Sequence, residues 1–369
     1  MRSTRRFAWL YLAIAAMFFG HVQGAMAQRQ LTDILGRKVV IANETNRIAL
    51  GIYFEEFAAV GGPEAFSRVV GFSKAAWRDW RNNNWKAWLA KMPSLDSIPD
   101  VGEVESGTFS IEKVLALKPD VILLAEWQHA ALGPNFDRLV AAGIPVIVLD
   151  YNAQTLERHR LSTELIAAVV GKPERAAKII AEYEAAIADV KARVARATGP
   201  KPKVYLELGN KGVAEYGNSY GGAMWGPMIE LAGGENIARD KVARWGPLTA
   251  EYVVASRPDA IFISGSEWIS NPKAMPMGFG FDRAAAQARL REFTQRPGWA
   301  ELPAVRNKQV HGVYQGGMRS LLDYTQLQFI AKALHPALFA DIDPLENYRR
   351  YYREYLPIEA AGVFLLSLD

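Results

Sequence analysis

Trp77-Arg78-Asp79-Trp80-Arg81 sets two guanidinium groups among indole rings. Aromatic faces cover a large flat ligand, and arginine pairs with carboxylates or with a net negative complex. The same side-chain types recur after other apolar runs. Trp127 follows Val121 to Leu124, and Tyr151 follows Ile147 to Leu149. Tyr216 and Tyr220 come after the run that opens at Lys203, Trp268 follows Ile261 to Ser264, and Arg319 follows Val313-Tyr314. In open α/β sheets, ligands bind beyond the carboxyl ends of strands. The expected ligand-binding set is therefore Arg78, Arg81, Trp127, Tyr216, Tyr220, Trp268 and Arg319. The plainer reading of each aromatic is core packing, and of each cation a solvated loop. The stretch Trp77 to Trp88 holds four Trp, two Arg and three Asn in twelve residues. Its tryptophans keep helical spacing only in pairs three apart, which suits either a surface helix turning its indoles inward or a rim over a cleft.

The residues that would carry catalysis are scattered. Beyond the leader the histidines are His129, His159, His311 and His335, and they form no compact metal-ligand spacing. Gly217 to Gly221 reads as a turn rather than as the serine-centred elbow of a hydrolase. A Walker lysine loop is missing, and the chain has 0 Cys, which excludes disulfides, thiolate metal sites and a lipid-anchoring cysteine. The chain is read as a non-enzyme with no catalytic residues, no metal site and no cofactor. A secreted enzyme of two α/β lobes is the alternative class.

The elements that must position these residues carry an internal repeat. Glu112-Lys-Val-Leu-Ala-Leu-Lys-Pro119-Asp120 is echoed by Glu251-Tyr-Val-Val-Ala-Ser-Arg-Pro258-Asp259, 139 positions on. Ser110 and Thr249 stand two residues before each Glu, and an apolar strand follows each Asp. Two lobes with the same helix-to-strand unit imply a working site in the cleft between them. Strands are expected at Val39 to Ala42, Ile48 to Leu50, Val69 to Phe72, Val121 to Leu124 and Pro145 to Leu149. Helices are expected at Phe54 to Val60, Ile111 to Leu117, Phe136 to Ala142 and Leu156 to Val170. Continuous apolar strands between helices indicate parallel sheets covered on both faces. Pro173 opens a helix running to about Ala197, which Thr198-Gly199-Pro200 stops. The second block has strands at Lys203 to Leu208, Ala260 to Ile263 and Gln309 to Tyr314. Its helices are expected at Met224 to Leu231, Leu321 to Leu334 and Pro344 to Tyr355.

Residues 1–27 have the pattern of a secretory leader: Arg2, Arg5 and Arg6, then an apolar run from Phe7 to Gly20, then Ala25-Met26-Ala27. The run is short for a membrane span. Removing it takes away three Arg and no acid, so the net charge of +4 falls to about +1. No field for nucleic acid or for a membrane surface remains. The mature chain of about 340 residues is long enough for two domains.

In this order, several short motifs resemble the periplasmic substrate-binding proteins that serve ATP-driven importers of iron-siderophores, haem and cobalamin. They are Thr32 to Val39, Phe109-Ser110-Ile111-Glu112 with Leu117 to Asp120, Gly143 to Val146, Ala232 to Asn236, and Glu251 with Pro258-Asp259. The resemblance implies an α/β protein of two Rossmann-like lobes, 28–172 and 199–369, joined by one long helix at 173–198, with the ligand cleft between them. It implies a monomer in the periplasm, not lipid-anchored, with a modest rocking closure. It also implies permease subunits as partners, met by Glu112 and Glu251, each of which also suits a helix N-terminus. The ligand expected is a small-molecule metal complex, foremost a ferric siderophore. Haem, cobalamin or an oxyanion such as molybdate are the alternatives. The loop 103–108 lacks the arginine frequent in hydroxamate binders of the family, leaving the anion-holding role to Arg78, Arg81 and Arg319.

Overall fold

The computed structural model describes residues 28–369; the expected leader lies outside them. Two open sheets organise the chain. The first has the strand order Val69–Phe72, Ile48–Leu50, Val121–Ala125, Val146–Leu149, all parallel. The second has the order Leu365–Ser367, Val310–Tyr314, Ala260–Gly265, Lys203–Leu208, Glu235–Asn236. It is parallel except for the Leu365–Ser367 edge. Strands Val121–Ala125, Val146–Leu149, Ala260–Gly265 and Val310–Tyr314 are buried along their whole length. That is why they read as continuous apolar runs rather than alternating ones. Among the described residues, no helix is long and apolar enough to cross a membrane.

The repeated segment folds into the same object twice. Helix Ile111–Leu117 is capped by Ser110, which accepts the Lys113 N–H, and helix Ala250–Ser256 by Thr249, which accepts the Tyr252 N–H. Both end on a left-handed basic residue: Lys118 at φ 46°, ψ 59° and Arg257 at φ 48°, ψ 61°. The following proline disfavours helix at that residue, so the turn is tolerated without glycine. The aspartates then tie down the start of the neighbouring central strand. Asp120 Oδ2 accepts the backbone N–H of Asn46 (2.8 Å) and Arg47 (2.9 Å). Asp259 Oδ2 accepts that of Lys203 at 2.8 Å.

Helix Pro173–Val194 lies in the chain between the two sheets. Ala176, Ile179, Ile180, Tyr183, Ile187 and Val190 form its buried stripe. Several expected boundaries move slightly. Met224 precedes helix Trp225–Leu231, and helix Tyr324–Leu334 begins three residues after Leu321. Sequence pattern missed helix Arg283–Thr294, where alanines and charges blur the apolar stripe, and the short C-terminal edge strand Leu365–Ser367.

Both sheets have a topological switch point. The chain leaves Ile48–Leu50 toward one edge and Val121–Ala125 toward the other, although the two strands are neighbours. Lys203–Leu208 and Ala260–Gly265 repeat the arrangement. Such points open a crevice at the carboxyl ends of strands. The first crevice is followed at once by Tyr53 and helix Phe54–Gly61, all eight of whose residues are buried.

Candidate functional site

The carboxyl ends of the two sheets meet directly. Ser266 Oγ donates to the Trp80 carbonyl (3.0 Å), and the Asn84 N–H donates to Glu267 Oε2 (2.7 Å). Asn83 Nδ2 donates to the Phe279 carbonyl at 2.9 Å. The Met224 N–H donates to the Asn152 carbonyl at 2.9 Å. At the rim Arg244 Nη2 meets Glu126 Oε2 at 3.0 Å. The lip that receives Ser266 and Glu267 is thus the unusual tryptophan segment. It splits into helices Ala75–Arg78 and Asn82–Lys91, which explains the paired spacing. Trp77, Trp85 and Trp88 turn inward around Phe54, with centroids 4.7, 6.5 and 4.8 Å away. Trp80 is half-buried.

Arg81 sits inside this junction. Its guanidinium lies 3.7 Å from Glu55 Oε2 and stacks on Trp77 at 4.5 Å. Glu55 is fully used, accepting from Asn84 Nδ2 (3.0 Å), Trp88 Nε1 (3.3 Å) and Tyr352 Oη (3.0 Å). Glu267 likewise accepts from the Phe279 N–H and from Tyr314 Oη, both at 2.9 Å. Burial nevertheless pushes its carboxyl up to about 7, because desolvation penalises the charged form.

Arg319 is different. It follows the Val310–Tyr314 strand in a left-handed backbone (φ 68°) that costs a non-glycine residue free energy. Protein encloses it, yet part of its surface stays open to solvent, as befits a side chain lining an internal cleft. Among the described residues its guanidinium makes no ion pair and no hydrogen bond; Arg81, Tyr53, Glu56 and Tyr220 are its electrostatic neighbours. Burial, and then the like charge of Arg81, lower its pKa. Tyr220 is buried, with its hydroxyl 3.4 Å from Gln315 Nε2. Tyr53 is buried with its hydroxyl 3.3 Å from the Tyr151 N–H.

The structure therefore brings together Arg81, Tyr220 and Arg319 from the expected set. Arg78 is exposed, holding Asp79 at 2.9 Å and Asp100 at 3.7 Å. Tyr216 belongs to another cluster: its ring lies 4.2 Å from the Arg296 guanidinium and its hydroxyl accepts Trp299 Nε1 at 2.8 Å. Arg296 is in turn clamped by buried Glu207 at 2.6 and 3.0 Å. Trp127 and Trp268 are both half-buried after their strands. Trp268 adjoins the residues that meet Trp80, whereas Trp127 adjoins the Glu126–Arg244 pair. Glu112 and Glu251 are exposed in the first turns of their helices, and Glu112 pairs with Arg138 at 2.9 Å. Sequence reasoning passed over Tyr53, Glu55, Glu56 and Glu267. Their signal was an acidic pair directly after a central strand, and an acid beside Trp268.

A family model described as periplasmic binding protein matches residues 53–313. A solved structure titled TroA-like periplasmic binding protein FepB from Veillonella parvula is 34% identical. It covers 92% of this chain and 99% of that chain, with a TM-score of 0.85. The molybdate-binding protein MolA of Haemophilus influenzae is 24% identical across 95% of this chain and 98% of its own length. The vitamin B12-binding protein of Pectobacterium atrosepticum is 28% identical over 51% of this chain and 66% of its own length.

Proposed function

Since the chain belongs to the periplasmic binding protein family, which serves ABC importers, we propose that it captures an anionic iron complex, foremost a ferric siderophore, and delivers it to permease subunits. The observation that carries this reading is the unpartnered guanidinium of Arg319, enclosed between the lobes beside Tyr220 and Tyr53. A half-buried cation without a counter-ion is partly desolvated at a cost, and a bound anion relieves that cost. Half-buried Trp80, Trp127 and Trp268 at the rim suit a ligand with flat, absorbing groups. Helix Pro173–Val194 acts as the connector and limits closure to a rocking motion. Glu112 and Glu251 are the permease-facing residues of a monomeric carrier with no lipid anchor.

An oxyanion such as molybdate is the second reading. Direct lobe-to-lobe bonds from Ser266 to Trp80 and from Asn84 to Glu267 favour a small ligand. A relative aligned over nearly the whole chain is a molybdate-binding protein. Native mass spectrometry with metal analysis on periplasm-purified protein separates the two. Titration calorimetry is then run with the ligand found. Charge-assisted pairs are worth roughly 1.5–3 kcal/mol, so Arg319→Ala weakens binding by about ten- to a hundredfold. Unchanged affinity removes Arg319 from the site.

A further inference from the structure

Glu56 is an acid near Arg319 to which, among the described residues, no other side chain gives a hydrogen bond or an ion pair. It comes after Glu55 in the first turn of helix Phe54–Gly61, at the switch point of the first sheet. The two neighbours have opposite fates. Glu55 turns to the lobe junction and takes bonds from Asn84, Trp88 and Tyr352. Glu56 is 9% exposed. Among the described residues it receives no side-chain hydrogen bond and no ion pair, only its own backbone N–H. Its charged and titratable neighbours are Arg81 and Arg319 from facing loops and Glu55 from its own helix. Tyr53, Tyr151 and Tyr351 complete its surroundings. Glu56 is therefore a buried acid with the half-buried cation Arg319 among its neighbours, and among the described residues neither has a side-chain hydrogen bond or an ion pair.

An ionised Glu56 would confront any anion drawn in by Arg319, and no N–H group from another residue stands against it to stabilise the charge. As the neutral acid it offers an O–H instead. We propose that Glu56 is a specificity-determining residue of the cleft, holding its proton in the bound state and donating that O–H to an oxygen of an anionic ligand whose negative charge rests on Arg319. This rests on the anion-binding reading above and deepens it: the ligand class is an oxygen-rich anion, and its capture is linked to one proton. Burial, partly opposed by Arg81, raises the carboxyl to about 8, so the acid form is already the main one at neutral pH. Above that value binding must draw a proton from solvent.

The test is titration calorimetry with a hexadentate ferric tris-catecholate chelate and with molybdate, whose own charges are constant over the range used. Measurements run from about pH 6 to about pH 9.5, in buffers of different ionisation enthalpy. The parent should lose affinity by up to about tenfold per pH unit above about 8 and take up one proton per ligand there. Glu56→Gln keeps an amide N–H in place of the acid. It should bind within a few-fold of the parent at about pH 6 and lack the parent's fall in affinity and proton uptake above about pH 8; Glu267, raised to about 7 at the lobe junction, is common to both proteins. A parent profile that is flat above about pH 8 overturns the proposal, as does a Glu56→Gln protein that shows the same fall there or that has lost binding at the acidic end. If a probe binds in an Arg319-dependent way while Glu56→Gln behaves as the parent, this inference fails alone. If neither probe binds the parent at any pH, the anion-binding reading falls with it.

Discussion

Glu56→Gln also isolates what the buried charge costs the ligand-free fold. An ordinary glutamate titrates near 4.5, whereas in this fold Glu56 is raised to about 8, chiefly by desolvation. The folded chain thus holds this proton more tightly than the unfolded chain. Folding stability from this group is highest at acidic pH and is lost as pH rises from about 4.5 to about 8. At about 1.4 kcal/mol per pH unit, the loss is of the order of 5 kcal/mol, with the attraction of Arg81 and Arg319 already included. Glutamine has nearly the same shape and no charge to desolvate. Urea unfolding of ligand-free protein at about pH 5 should give parent and variant similar stabilities. At about pH 9 the variant should be more stable by several kcal/mol. Glu267, raised to about 7, and His311, lowered to about 4 by burial, also titrate. Both are present in both proteins and cancel in the difference. A parent–variant difference that is constant across pH refutes the reasoning, because it would mean that Glu56 titrates alike in the folded and the unfolded chain.

Arg296→Met should destabilise the second lobe by about 3–5 kcal/mol in the same assay, since buried Glu207 is left without its counter-ion; adding Glu207→Gln should recover part of the loss. Arg78→Ala should leave ligand affinity unchanged by calorimetry, because Arg78 is exposed and engaged by Asp79 and Asp100, in contrast to Arg319→Ala. Glu112→Ala with Glu251→Ala should keep ligand affinity but impair uptake in cells, and full uptake by the double variant rules out the docking role.

Much of the molecule was legible in the chain because local rules set it. The Ser110 and Thr249 caps, the Pro119 and Pro258 stops and the apolar strands after them act within a few residues. Helices Ile111–Leu117, Leu156–Val170 and Pro344–Tyr355 accordingly begin and end where the pattern places them. The repeat also foretold two similar lobes, since each copy builds the same capped helix and the same Asp clamp. Strand-end reasoning singled out Arg81, Tyr220 and Arg319, which the fold brings near one another, because the chain after a parallel strand surfaces at its carboxyl end.

Which of these side chains meet one another was decided only by packing between distant segments. Nothing local distinguishes Tyr216 from Tyr220, yet the first is held by Arg296 and Trp299 and the second lies beside Arg319. Arg78 and Arg81 stand three apart, and a break between two short helices sends one to solvent and the other under Glu55. Glu55 and Glu56 are adjacent in an apolar segment. Successive residues on a helix point about 100° apart, so one carboxyl meets donors from two other helices, Asn82–Lys91 and Pro344–Tyr355, and the other meets none. Which side chains are satisfied and which are left free depends on contacts across hundreds of residues, and those exist only once both lobes have closed around them.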